Sequence, residues 1–226
     1  MTAPATGRPA TSSNRWGAIA GLVFFVLFVV GFLIGGGTPE YDASDREWVE
    51  WFEDDGNTNL QVVAMLLMVA AAFALVCFVA VLTRQLRATN RPELVNVAIG
   101  AGLVLAALIV IGGIAMNQVS AAITFGGSNG DYPIPGADVL RQSEQLGFGA
   151  ILLGGGWAAV LLVGATSLAV RGTDLLPRWL VTAGYVAAVL LVFSVIFFPF
   201  VLLPLWVLAV SIVMLRRPNP GSFTAV

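Results

Sequence analysis

The 226-residue chain is 58% hydrophobic and only 11% charged, with a formal net charge of −2 and a mean hydropathy of +0.90. A soluble domain is about 45–50% apolar and roughly 25% charged, so lipid is the main solvent and an ordinary water-soluble fold is excluded. Histidine is absent, cysteine occurs once (Cys77) and all 11 basic residues are arginine, which removes an internal disulfide and the usual ligand sets for zinc, haem and iron–sulfur centres.

A helix crossing a hydrocarbon core of about 30 Å needs roughly 20 apolar residues. Residues 1–14, rich in Ala, Thr, Ser, Pro and Gly, read as a disordered tail. Residues 16–36 form the first uncharged run. Arg8 and Arg15 precede it as in a secretory signal, but the run exceeds the usual length of about 7–15 residues. It also ends in Gly35-Gly36-Gly37 without a small-x-small cleavage site, so it reads as an uncleaved first span. Gly17 with Gly21, and Gly31 with Gly35, form two GxxxG pairs of the kind that let helix backbones approach closely in lipid.

The outer loop 37–59 carries eight acids against a single Arg46. Ser44 and Glu47 have the spacing of a capping box. Trp48, Val49, Trp51 and Phe52 then share one helical arc, opposite Glu47, Glu50, Glu53 and Asp54. The pattern predicts a short amphipathic helix on the outer membrane surface with Trp48, Trp51 and Phe52 at headgroup level. Gly56 suits its C-terminal cap, and Thr58 with Gln61 suits a second capping box. Glu47, Glu50, Glu53 and Asp54 are weak candidates for a Ca²⁺ or Mg²⁺ site, since hard cations want several oxygens. No spacing resembles a calcium loop, so solvation and topology control are the favoured reading, and no metal or other cofactor is expected.

The second span, 60–83, ends at Arg84 and places Cys77 in apolar surroundings where a thiolate is disfavoured. The third, 94–116, follows Arg91-Pro92 and sets Ala98, Gly102 and Ala106 four residues apart. The outer loop 117–145 contains the turn formers Gly126-Gly127, Asn129-Gly130 and Pro133-Ile134-Pro135. A helix beginning near Asp138 leads into the fourth span, 146–170, and the two outer loops are expected to pack as a small cap. Gly155 and Ala159 continue the small-residue packing, and Gly154-Gly155-Gly156 is where the helix should loosen or kink.

From Trp179 to Leu215 the chain runs 37 residues without a charge, about 55 Å as one helix. Pro199 and Pro204, which each remove a backbone donor, divide it into spans at 179–197 and 201–215. Six transmembrane helices then put Arg8, Arg15, Arg84, Arg87, Arg91, Arg171, Arg178, Arg216 and Arg217 on one side, with Arg46 and Arg141 on the other. Positive residues mark the cytoplasm, so both termini, including the tail 218–226, are placed there. The expected fold is an all-α polytopic membrane helix bundle in the bacterial cytoplasmic membrane, with the transmembrane domain over 15–217.

Charged side chains inside spans mark ion paths and proton relays; none falls within these limits, which argues against ion-coupled transport. Polar residues such as Asn96, Thr166, Ser167, Thr182, Tyr185, Ser194 and Ser211, with Asn117, Gln118 and Ser120 near the outer end of span three, ordinarily bond a neighbouring helix or their own backbone. A zinc-protease helix and a Ser–His pair need histidine, and a Ser–Lys pair needs lysine; no catalytic residue is expected. Spans two–three and four–five share boundary signals as in a parallel repeat, although any membrane hairpin has them.

Ala43-Ser44-Asp45 to Gly56-Asn57, Leu176-Pro177-Arg178-Trp179-Leu180 and Phe197-Phe198-Pro199 to Pro204-Leu205-Trp206 carry a resemblance to uncharacterised six-span membrane proteins of high-GC actinobacteria. The resemblance implies the six-helix fold; the family has no assigned activity, so it carries over no functional residue. The leading expectation is a non-catalytic accessory or scaffolding subunit of an envelope complex, with the lipid bilayer and a membrane-protein partner or second copy as its contacts, and no nucleic acid. A facilitator or channel for neutral or hydrophobic molecules is the first alternative, with a cavity between spans three, four and five. A divalent-cation sensor using the acidic loop is the second.

Overall fold

Apolar segments must satisfy their backbone groups internally when water is absent, which leaves helices as the economical solution. The computed structural model describes residues 11–126 and 132–216, with side chains from Arg15 onward, and among the described residues there is no strand. Helix α1 is Thr11–Gly35, α2 Asp45–Glu53, α3 Asp55–Leu86, α4 Pro92–Phe125, α5 Ala137–Phe148, α6 Gly156–Val170, α7 Arg178–Leu191 and α8 Leu202–Arg216. A π-helical segment, Gly149–Gly155, joins α5 to α6, so that Ala137–Val170 forms one 34-residue rod. Five helical stretches are long and apolar enough to cross a membrane. They point to a multi-pass membrane protein.

Several glycines show how the rods pair, because they lie where a neighbour approaches. A Cβ on Gly31 would lie 3.0 Å from Leu67, and one on Gly35 would lie 3.5 Å from Ala64, while Gly17 abuts Val81. Helices α1 and α3 are therefore antiparallel over most of their length. Gly102 meets Val79 and Gly113 meets Met68, Gly112 meets Ile151 and Gly154 meets Leu108, and Gly184 meets Ser167. The chain thus goes up and down through α3, α4, α5–α6 and α7. Finally α8 returns beside α1, with Ser211 against Gly21 and Phe200 against Phe28 at 5.9 Å between ring centroids. Thr11 and Arg216 consequently lie at the same end of the bundle.

Several boundaries differ from the sequence reading. Helix α3 starts a turn earlier than residue 60 because Asp54, not Thr58, caps it: Asp54 Oδ1 accepts from the backbone of Gly56 at 2.7 Å. Thr58 is then buried inside the helix, and Gln61 reaches across to donate to the Gly35 carbonyl at 3.1 Å, so these two make no capping box. Gly56 lies in the first turn of α3 and does not end α2, whose C-cap is Asp54. Helix α4 runs nine residues past Met116 because Val119 and Ile123 find a second core to join. At the end of the chain, α7 stops at Leu191, and two 3-10 turns, Ser194–Ile196 and Phe198–Val201, make the reversal. Pro204 does not break the chain; it sits in the first turn of α8, where a missing N–H has no intrahelical partner to lose. The expected tail to residue 10, Arg8, Gly127, Asn129, Gly130, Arg217 and the tail 218–226 lie outside the described residues, whereas residues 11–14 of that tail are already helical.

Candidate functional site

Three features gather at the end of the bundle opposite Thr11 and Arg216. The first is a cap. Ser44 and Glu47 form a reciprocal capping box, and the Ser44 N–H and hydroxyl hold the Glu47 carboxyl below the usual carboxylate range. Trp48 and Phe52, 1% and 4% exposed, pack on Val119, Ala137 and Leu140 in a small core of their own. Arg141 locks this core from α5: it donates to Asp45 at 2.7 Å and to the Ala43 carbonyl at 2.6 Å, and its guanidinium lies 5.7 Å from the Trp48 ring centroid. Helix α2 is thus seated on α4 and α5 through its apolar face. The apolar surface of Trp48 and Phe52 is covered by α4 and α5, whereas Trp51 stays half-buried.

The weak metal candidates are engaged locally or turned to water. Glu47 serves Ser44, Glu50 pairs with Arg46 at 2.6 Å, Asp54 caps α3, and Glu53 is exposed. Among the described residues no three acidic side chains converge on a point that could hold a metal.

The second feature is a buried polar node beneath the cap. Gly35 brings two amides together: Gln61 donates to its carbonyl, and the Asn117 amide lies 3.9 Å from where a Gly35 Cβ would be. Asn117 Nδ2 donates to the Gly113 carbonyl at 2.7 Å. Three residues beyond Gly35, Thr38 donates to the carboxylate of Glu144 on α5. Glu144 is only 9% exposed; it falls inside the apolar rod Ala137–Val170 although the fourth span, read as 146–170, excluded it. Ser120, one turn along α4 from Asn117, is buried as well. Gln61 Oε1, Asn117 Oδ1 and Ser120 Oγ are buried without a partner among the described residues.

The third feature is a lateral cleft of about 570 Å³ between the C-terminal half of α1, the π-helical segment and the reversal after α7. The π turn has a specific anchor: Ser194 donates to the Leu152 carbonyl at 2.6 Å, and Gly156 leaves the room for it. π-helical turns within α-helices often occur at functional sites. Phe32 forms one wall, edge-on to Phe148 at 5.8 Å and stacked on Phe197 at 5.6 Å. Phe197 holds φ 72° and ψ −61°, a positive-φ γ-turn that a bulky residue adopts only under strain. The rim residues Leu33, Leu153 and Val195 are 72%, 51% and 63% exposed, and Gln145, beside Glu144, supplies the polar end.

The packing glycines named from sequence all lie at inward contacts. Gly17, Gly31 and Gly35 face α3, Gly21 faces Ser211 and Phe78, Gly102 faces Val79, and Gly155 faces Leu105 at 3.4 Å. Sequence reasoning missed Gly112 and Gly147, where the main chains of two helices meet; it read Gln61 only as part of a helix cap, and it missed Glu144 and the Phe32–Phe148–Phe197 wall as a group. Glycine spacing within one helix carries no record of the partner helix, and the wall joins residues more than 100 positions apart. Cys77 is exposed on the outer surface of α3. Compared with protein-family models, curated proteins and solved structures, the chain matches none of them.

Proposed function

We propose that this is a non-catalytic, six-span protein of the bacterial cytoplasmic membrane that takes an apolar small molecule or lipid chain from the outer leaflet into the lateral cleft, acting as a facilitator for hydrophobic molecules. The cleft carries the reading. Its walls are aromatic and aliphatic, its rim is exposed in the part of the bundle that would face lipid, and its volume lies in the usual ligand-pocket range of about 300–1,000 Å³. It sits between α1, the π segment and the reversal, not between spans three, four and five where the sequence placed a cavity.

The six-span count rests on α7 and α8 acting as a hairpin. Helix α7 is 14 residues, about 21 Å, short of a hydrocarbon core. Its reversal nevertheless lies level with Phe32, three residues from the end of α1. The tip is apolar and exposed, with Phe198 79% accessible, as befits a turn held near the outer interface. Arg15, Arg84, Arg87, Arg91, Arg171, Arg178 and Arg216 share one end of the bundle, while Arg46 and Arg141 share the other. The positive-inside rule then places both termini in the cytoplasm and α2 outside.

An accessory or scaffolding role, with a membrane-protein partner or second copy, drew on the small-residue ridges. Those glycines are filled by the chain's own helices, which leaves the cleft as the more specific feature. The divalent-sensor reading loses ground for the reason given above: Glu47, Glu50 and Asp54 are committed to Ser44, Arg46 and the α3 cap, and Glu53 is turned to water.

Gly149 offers the test. A Cβ there meets nothing within 4 Å, and the residue lines the cleft, so Gly149→Leu should fill the site without straining the helix. In vesicles doped with a diazirine-bearing fatty acid, the native protein is expected to crosslink at Phe32, Phe148 or Phe197. Gly149→Leu should reduce that labelling at least roughly tenfold, as the buried apolar area is lost. Labelling spread evenly over lipid-facing residues and unchanged by the substitution would contradict the reading.

A further inference from the structure

We infer that the buried polar node beneath the cap is a binding site for a dehydrated monovalent cation, with sodium as the probe ion. The inference is independent of the cleft. Its basis is a set of buried oxygens without partners. Gln61 and Asn117 each spend their NH₂ group on a backbone carbonyl, of Gly35 and Gly113 respectively. Both side-chain carbonyl oxygens are thereby left unpaired. They sit in residues 2% and 1% exposed, and Ser120 Oγ, 1% exposed, has no partner either. A buried polar atom without a partner carries a desolvation cost that native structures avoid, so such an atom asks for an occupant.

The surrounding charge selects the occupant. The node lies at the C-terminal end of α1, where carbonyls point outward and the helix dipole is negative. Glu144 brings the one carboxylate, held by Thr38 across from α5. The remaining oxygens are amide carbonyls and hydroxyls, which ligate hard cations alongside carboxylates. No arginine contributes: among the side-chain bonds Arg46 and Arg141 are committed in the cap. A monovalent cation with one carboxylate leaves the site neutral. A divalent ion would leave a net positive charge in a dry environment, which is costly. An anion would face the Glu144 carboxylate and two unpaired amide carbonyl oxygens, which repel it.

The experiment uses the full-length protein in mild detergent, exchanged from choline chloride into sodium chloride at constant ionic strength. Sodium is expected to raise the unfolding midpoint saturably, as for any ligand that binds the native state alone. Binding of radioactive sodium should saturate at one ion per chain. Glu144→Gln should abolish both effects. Ser120→Ala, which removes one oxygen and adds no volume, should weaken binding about tenfold, the scale of one lost polar contact; it keeps the test decisive if Glu144→Gln folds poorly. Equal midpoints in choline and sodium with no saturable binding would mean that water alone fills the node and would overturn the proposal. A sodium effect of full size in Ser120→Ala would overturn it as well.

Discussion

Replacing Gly147 with alanine is expected to cost roughly 3 kcal/mol of bundle stability, the upper range for overpacking a well-filled interior. The reason is backbone rather than side chain. A Cβ at Gly147 would lie 2.7 Å from the Gly112 carbonyl oxygen and 2.8 Å from the Met116 nitrogen, and a Cβ at Gly112 would in turn lie 2.8 Å from the Gly147 carbonyl oxygen. Two main chains touch at this crossing, so no side-chain rotamer can make room, and α5 must move off α4. That movement would also disturb Glu144, one turn away. Gly100→Ala on the same helix α4 supplies the control, because its Cβ meets nothing within 4 Å; its effect should stay within about 0.5 kcal/mol. Unfolding by SDS in mixed micelles, followed by helical circular dichroism, reads both. Equal losses for the two substitutions would show that the α4–α5 crossing is looser than described.

Trp48→Ala should cost about 3–5 kcal/mol, as for other buried large-to-small changes, and the loss should be confined to the cap. Trp48 heads the fully buried side chains by volume. Its indole N–H donates to the Glu40 carbonyl at 3.2 Å, and its ring receives the Arg141 guanidinium. Removing the ring therefore frees the loop before α2 and the arginine that ties α5 to it. The helices below share a separate core, so the bundle should keep its circular dichroism while α2 opens. Trypsin in the detergent-solubilised protein should then cut after Arg46 at least tenfold faster, as local opening replaces a cooperative cap. Trp51→Ala, at a half-buried position, should change that rate far less. A Trp48→Ala protein that resists trypsin as the native one does would show that the cap is held elsewhere.

The sequence revealed most where one local rule decides the outcome. The Ser44–Glu47 box is present because it needs only spacing three and a helix start. The glycine triplet 154–156 overlaps the π-helical segment, and there helix propensity alone signals weakness. Prolines were less legible. Pro199 lies in the reversal but Pro204 is accepted into a helix, because position within the first turn, not the residue type, sets its cost. The amphipathic arc of Trp48, Trp51 and Phe52 was visible, yet periodicity shows which face is apolar and is silent on whether lipid or protein covers it. The node and the cleft were hidden for a related reason. Glu144 read as part of the helix leading into the fourth span, and only the fold places it opposite Thr38 and beneath the cap.

The two ends of the chain, the cap and the cleft all take their meaning from one topology, which site-directed labelling reads directly. In a Cys77→Ser background, an impermeant maleimide added to intact cells should modify Asp42→Cys, in the segment between α1 and α2. Thr89→Cys, Thr173→Cys and Arg216→Cys should react only after the membrane is permeabilised. Modification of Arg216→Cys in intact cells, with Thr173→Cys still protected, would mean that α7 and α8 cross the membrane once in all, and would contradict the six-span account.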